Sequence, residues 1–260
     1  MNALARHRRH PAAIALLLLL GLIVTGTAYS ALAPKAATAA VATADQVTEG
    51  HQLFLTNCAT CHGTGALGTD KGPNLAGVGA AAVDFQMNTG RMPMAGPGVQ
   101  APRNVVTYTQ EQISAIAAYV ASLAPGPAVP DAALTSGENG NAGTGGMIFR
   151  TNCSMCHNSA FAGGALTRGK YAPKLHEMDG KIIYEAMLTG PQSMPVFNDT
   201  NLSPQAKADV IAYLKSMHEE GNPGGMALGS LGPVPEGLVA WIFGLGLLIG
   251  GAYWLGQKGA

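Results

Sequence analysis

Charge is what this sequence has least of: Asp, Glu, Lys and Arg supply 12% of its 260 residues, about half of the roughly 25% usual in soluble domains. The shortfall points to membrane-embedded segments rather than a wholly solvated chain. The 15 basic residues balance 15 acidic ones, so the cationic excess that nucleic-acid binding needs is missing. Cysteine is equally scarce. All four cysteines, Cys58, Cys61, Cys153 and Cys156, fall into two pairs of identical spacing, leaving no thiol for a disulfide framework. Two stretches lack charge altogether, from Pro11 to Pro34 and from Leu238 to Leu255.

The cysteine pairs sit in two copies of one string, Asn57-Cys58-Ala59-Thr60-Cys61-His62 and Asn152-Cys153-Ser154-Met155-Cys156-His157. C-x-x-C-H is the attachment signature of c-type haem: both thiols bond to the porphyrin vinyls and the adjacent His ligates the iron. The rival is one four-thiolate zinc site. It would have to join cysteines 95 residues apart, from Cys58 to Cys153, and it gives no role to His62 and His157. Two covalent haem c groups are therefore expected.

The matching extends beyond the strings. Gly50, Phe54 and Asn57 recur at the same spacing as Gly145, Phe149 and Asn152; Pro73-Asn74-Leu75 recurs as Pro173-Lys174-Leu175, Arg91-Met92-Pro93 as Ser193-Met194-Pro195, and Ile116 to Val120 as Val210 to Leu214. The order is the same in both halves, so the chain carries a duplicated domain, expected over 45–125 and 145–220. Ile113, Ile116, Tyr119, Val120 and Leu123 recur at helical spacing, predicting an amphipathic helix capped near Tyr108 or Thr109. The Gly-rich run 63–73 predicts a loop that wraps a haem face. Segments 35–44, 126–144 and 221–236 read as linkers from their Ala/Thr- or Gly/Pro-rich composition.

The sixth iron position calls for a soft neutral donor, and the Met-Pro pairs supply one in each half. Repeat matching favours Met92 and Met194, with Met94 and Met87 as competitors in the first half and Met187 and Met178 in the second. Met is also ordinary core material. His51 and His176 have no counterpart in the other half, and with His218 they read as surface or packing histidines. Tyr119 and Tyr213 hold equivalent helix positions and are expected to pack on haem or on the first helix of their repeat. Arg168, Lys170 and Lys174 form a local basic cluster, facing solvent, an acidic partner or propionates.

Residues 1–34 have a basic start, Arg6 to His10, then an apolar core, which is the form of a secretory signal with Ala31-Leu32-Ala33 as a cleavage region. The uncharged run is also long enough for a retained anchor. Either form exports the haem-binding halves. A transmembrane helix is expected over 237–256; the 18 residues from Leu238 to Leu255 span about 27 Å at about 1.5 Å per residue. Trp241, Tyr253 and Trp254 suit the interfaces, and Lys258 beyond them puts the C-terminus in the cytoplasm and the haem domains outside. Gly246 and Gly250 form a G-x-x-x-G pair suited to a close helix partner.

Two C-x-x-C-H domains followed by one membrane helix resemble the dihaem cytochrome c subunit (cytochrome cc) of the actinobacterial cytochrome bc1 complex. The resemblance covers nearly the whole chain. It implies a mainly α fold of two tandem class I cytochrome c domains with a C-terminal transmembrane helix and an N-terminal signal or anchor helix. It also implies an electron relay within a quinol–cytochrome c reductase of the cell membrane, with no substrate chemistry of its own. The implied partners are a cytochrome b subunit, a Rieske iron–sulfur subunit that supplies the electron, and the copper centre of an aa3-type oxidase that takes it. Carried onto this chain, Cys58, Cys61, His62 and Met92 would hold one haem and Cys153, Cys156, His157 and Met194 the other. The alternatives are the dihaem subunit of a cbb3-type oxidase, where the anchor usually comes first, an unanchored shuttle, and a dihaem peroxidase, which needs an open iron position. From Asp45 to Gly232 there are 10 basic and 14 acidic residues, not the basic bias of a soluble shuttle steered to an acidic oxidase.

Overall fold

The computed structural model describes residues 11–32, 42–219, 228 and 233–257. The basic residues 6–10, Ala33 of the cleavage region, Pro34 after it, most of the linkers expected at 35–44 and 221–236, and Lys258 lie outside the described residues. The chain divides into two units, Met1–Thr38 and Ala39–Ala260.

Among the described residues the first unit is one helix, α1 (Pro11–Leu32), of 22 residues, about 33 Å long at about 1.5 Å per residue. Leu16 to Leu20 and Leu22 are exposed. Thr25 and Thr27 donate their hydroxyls back to the carbonyls of Gly21 and Ile23, so neither polar group is left bare in an apolar surrounding.

In the second unit, α2 (Ala44–Asn57) starts with a capping box in which the Thr43 hydroxyl accepts from Gln46 N and the Gln46 side chain accepts from Thr43 N. The same device, with Thr109 and Gln112, starts α5 (Gln110–Leu123), so the cap is Thr109 rather than Tyr108. Between them lie the short α3 (Ala59–His62) and α4 (Gly79–Asn88). The second half repeats the plan with α6 (Ala132–Thr135), α7 (Ala142–Asn152), α8 (Ser154–His157), α9 (Gly180–Thr189) and α10 (Pro204–Glu219). It adds a two-stranded antiparallel hairpin, β1 (Gly164–Ala165) with β2 (Tyr171–Ala172).

In each half the helix that leads into the C-x-x-C-H string crosses the last helix at a glycine. A Cβ on Gly50 would collide with the Ala115 carbonyl, and one on Gly145 with that of Asp209. Aromatic rings pack beside the crossing. Tyr119 stands 5.2 Å from Phe54 and Tyr213 5.7 Å from Phe149, centroid to centroid, so both tyrosines pack on the helix that leads into their string. Burial of Phe54, Val120, Phe149, Val210 and Ile211 is what makes these marginal helices persist, at about 1.5–3 kcal/mol for each large apolar side chain.

The segment expected as a linker over 126–144 packs on both halves: Pro127 O accepts from Ala81 N of the first, and from Asp131 onward it packs on the second. Asp131 caps α6, Lys215 Nζ donates to the Ser136 carbonyl, Asn141 N donates to Asp209, and α7 begins at Ala142 with Asn141 as its cap. Its glycines mark close approach: a Cβ on Gly140 would strike the Ala208 carbonyl. The two halves meet where α4 packs on α9, with Lys181 Nζ 2.7 Å from Asp84 Oδ2. Gln100 and Tyr171 exchange a pair of hydrogen bonds across the same junction, both 2.9 Å.

At the C-terminal end, α11 (Pro233–Val239), a π-helical segment (Ala240–Leu245) and α12 (Gly246–Gln257) run as one continuous helix. Val234–Gln257 provides 24 residues long and apolar enough to cross a membrane. A Cβ on Gly246 or Gly250 meets nothing within 4 Å, so the G-x-x-x-G face is bare among the described residues.

Candidate haem sites

Each C-x-x-C-H string is a break between two helices. Helix α2 ends at Asn57, and its amide side chain donates to the Leu53 carbonyl (2.9 Å) and to the Thr56 hydroxyl (2.8 Å). Asn152 repeats both bonds with Ile148 and Thr151, at 3.0 and 2.9 Å. Cys58 and Cys153 sit at the break, and their carbonyls accept from the second cysteine and from the histidine, at 3.1 and 3.0 Å in the first copy and 3.2 and 2.9 Å in the second. One turn therefore sets both sulfurs and the imidazole on a single short segment. Burial, and then the neighbouring cysteine, pushes the Cys58 and Cys153 thiols up to about 11.

The loop after each string folds alike. His62 O accepts from Gly68 N and His157 O from Gly163 N; Leu75 N donates to Ala66 O and Leu175 N to Phe161 O. Ala66 and Phe161, at matching places, both take positive φ, 56° and 61°, a conformation non-glycine residues rarely adopt. The loop ends by delivering a proline carbonyl to the histidine. His62 Nδ1 lies 2.8 Å from Pro73 O, and His157 Nδ1 lies 3.0 Å from Pro173 O. A carbonyl only accepts, so Nδ1 carries the proton in both rings and Nε2 keeps its lone pair for a metal. Burial holds His157 below its ordinary value, against the opposite pull of Pro173 O. The neutral form is the ligating one.

Met92 is half-buried and packs on the cluster of Met87, Ile113 and Ile116 together with Leu53 and Tyr108. The Tyr108 phenol is pushed up by burial and then by Cys58, and its ring packs on the same cluster as Met92. Met94 has its methyl beside Gly98, in the following loop. In the second half a cavity of about 180 Å³ is lined by Cys153, Cys156, His157 and Met194. Met178 and Met187 also line it, so the structure brings both competitors alongside Met194.

The remaining sequence candidates go elsewhere. His51 stacks on Tyr119, centroids 4.7 Å apart. His176 Nε2 lies 2.9 Å from Ala160 O, its ring edge-on to Phe161. Arg168 is exposed in the turn of the hairpin. The two cysteine pairs do not converge: among the described residues no group of three or more His, Cys, Asp or Glu could hold a metal ion, which removes the zinc reading. The donor set fits covalent haem, with paired thiols beside a tautomer-fixed imidazole in both halves and, in the second, an apolar cavity next to them. Sequence reasoning missed Pro73 O, Pro173 O and Tyr108. The recurrence of Pro73-Asn74-Leu75 was the available signal for the first two.

Residues 47–124 match the family described as Cytochrome c, and residues 140–214 match that described as Cytochrome C oxidase, cbb3-type, subunit III. The chain carries two cytochrome c domains, and the cysteine pairs within them are those of covalently bound haem c. A relative from Mycobacterium tuberculosis (strain ATCC 25618 / H37Rv), named Cytochrome bc1 complex cytochrome c subunit, is 46% identical over 253 residues, 93% of this chain and 89% of its own. Proteins of the same name from Mycobacterium leprae (45% over 254 residues, covering 94% and 87%) and Corynebacterium efficiens (44% over 270 residues, covering 97% and 91%) agree. With the fold, the duplicated sites and these relatives in accord, the chain belongs to the family of cytochrome bc1 complex cytochrome c subunits.

Proposed function

We propose that this chain is the dihaem relay of a membrane-bound quinol–cytochrome c reductase. In this reading Cys58 and Cys61 bind one haem c with His62 and Met92 as axial ligands, and Cys153 and Cys156 bind a second with His157 and Met194. The observation that carries it is the duplicated pairing of His62 with Pro73 O and His157 with Pro173 O, which prepares two equivalent Nε2 donors. Haem iron, when bound, supplies one-electron exchange between its ferrous and ferric forms.

The chain's own part is holding, orienting and drying. The cysteines at the helix breaks would hold the haem through thioether bonds. The proline carbonyls lock the imidazole planes and raise their basicity as ligands. Phe149, Leu175, Ile183 and Leu214 wall the second cavity, excluding water and lowering the local dielectric. Met92 and Met194 would each offer the iron a soft thioether, which would favour a high potential and leave no position open to peroxide. The two haem-binding halves stand outside the cytoplasm, held by the helix through Gln257. That tether raises their effective concentration near a Rieske donor and the copper centre of an aa3 oxidase. The C-terminus is placed in the cytoplasm.

The match of residues 140–214 to a cbb3-type oxidase subunit favours a second assembly. Identity over nearly the full length of the bc1 relatives supports the first more strongly. Purification in mild detergent with mass spectrometry of co-purifying subunits decides. Cytochrome b and Rieske subunits are expected; a cbb3 catalytic subunit in their place would overturn the proposal.

A further inference from the structure

The cavity of the second repeat is not built by that repeat alone. Phe85, Arg91 and Gln100, all from the first repeat, share its lining with Cys153, His157 and Met194. Arg91 is 5% exposed, its guanidinium carbon lies 5.1 Å from the centre of the Phe85 ring, and its Nη1 is buried with no hydrogen-bond partner. A buried guanidinium donor left unpaired is costly, and arginine does not escape by losing its proton. Among the described residues no Asp or Glu lines this cavity. Glu177 lines a neighbouring cleft, together with Arg91, Arg103 and Lys174. Within the cavity, then, the counter-charge must come from what binds there. Haem c is apolar except at its two propionates, which are its only anionic groups and match the fork of a guanidinium.

We propose that Arg91 is a binding residue for the propionate edge of the second haem, contributed across the repeat junction by the first repeat. This rests on the second repeat holding a haem. Arg91 directly precedes Met92, so one backbone segment serves both sites: Met92 faces its own repeat, and Arg91 reaches the neighbour's. The matching residue of the second repeat is Ser193, so the service is not returned. Gln100 keeps the junction closed through its two bonds to Tyr171.

A cation beside the haem stabilises the electron-rich ferrous form, so its removal lowers the potential. The test is an optical redox titration of the full chain in detergent, unmutated and as Arg91→Gln and Arg91→Lys, with covalent haem counted by pyridine haemochrome. The component belonging to the second haem is the one that Met194→Ala displaces. Arg91→Gln should lower the midpoint of the second haem while leaving that of the first, and its thioether–iron band, in place. Arg91→Lys keeps the charge without the fork and should lower it less; this variant carries the test if the glutamine variant does not accumulate. A merely structural Arg91 would disturb its neighbour Met92, so a shift confined to the first haem overturns the proposal, as do two unmoved midpoints. One haem per unmutated chain would overturn the dihaem reading instead.

Discussion

The two repeats share one plan down to single hydrogen bonds, yet each carries an extra segment the other lacks. From Gly68 to Pro73 the first repeat takes five steps, and from Gly163 to Pro173 the second takes ten; the surplus is the β1–β2 hairpin. From Met92 to the start of α5 the first repeat is the longer, and its surplus contains Gln100. The two insertions meet, Gln100 on Tyr171. What is common to the repeats makes the proposed haem sites. What differs joins them and lets one site borrow from the other.

The common part breaks hardest at the helix crossings. Gly50→Ala and Gly145→Ala each force a Cβ into a carbonyl of the partner helix, and overpacking of this kind costs about 1–3 kcal/mol. Thermal denaturation should show a lowered Tm for both, while Gly96→Ala, with nothing within 4 Å of its Cβ, should be silent. Tolerance at only one of the two crossings would mean that the repeats are less alike than their hydrogen bonds indicate.

A smaller effect is expected at the junction, where Asp84 of α4 and Glu185 of α9 occupy matching places on their helices. Glu185 is fully buried, and burial, then the charge of Asp84, pushes its carboxyl up to about 9, with Lys181 opposing and Asp179 adding to the rise. As a carboxylate its oxygens would have no donor; as an acid it can donate to Asp84. Its folded value lies above its unfolded one of 4.5, so the folded state holds the extra proton. Stability is therefore lost as pH rises from about 4.5 through about 9. Glu185→Gln keeps the shape and removes the titration. Its Tm should exceed that of the unmutated chain more at pH 8 than at pH 5, and equal gains at both would show that the junction does not hold this proton.

Much of this was legible in the sequence because it is local. The strings Asn57 to His62 and Asn152 to His157, the Thr109 cap and the spacing of Ile116 to Val120 each report on neighbours a turn away. Helix α4 was not legible: Gly79-Ala80-Ala81-Ala82 offers no apolar stripe, and its burial is set by packing on α5 and on α9, both distant in sequence. Residues 126–144 read as a linker because glycine is ambiguous in sequence, marking freedom in a loop and close contact at Gly140. Arg91 looked like an arbitrary residue before Met-Pro, since what it reaches is set by the packing of two domains. The positive φ of Ala66 and Phe161 left no trace in residue type.

The central claim is two equivalent haem centres, each closed by its own methionine. It is tested most directly by counting covalent haem per chain and following the thioether–iron charge-transfer band in Met92→Ala and Met194→Ala. Two low-spin haems per chain are expected, with each substitution removing about half of the band. A single haem, a high-spin centre that reacts with peroxide, or a band untouched by either substitution would contradict it.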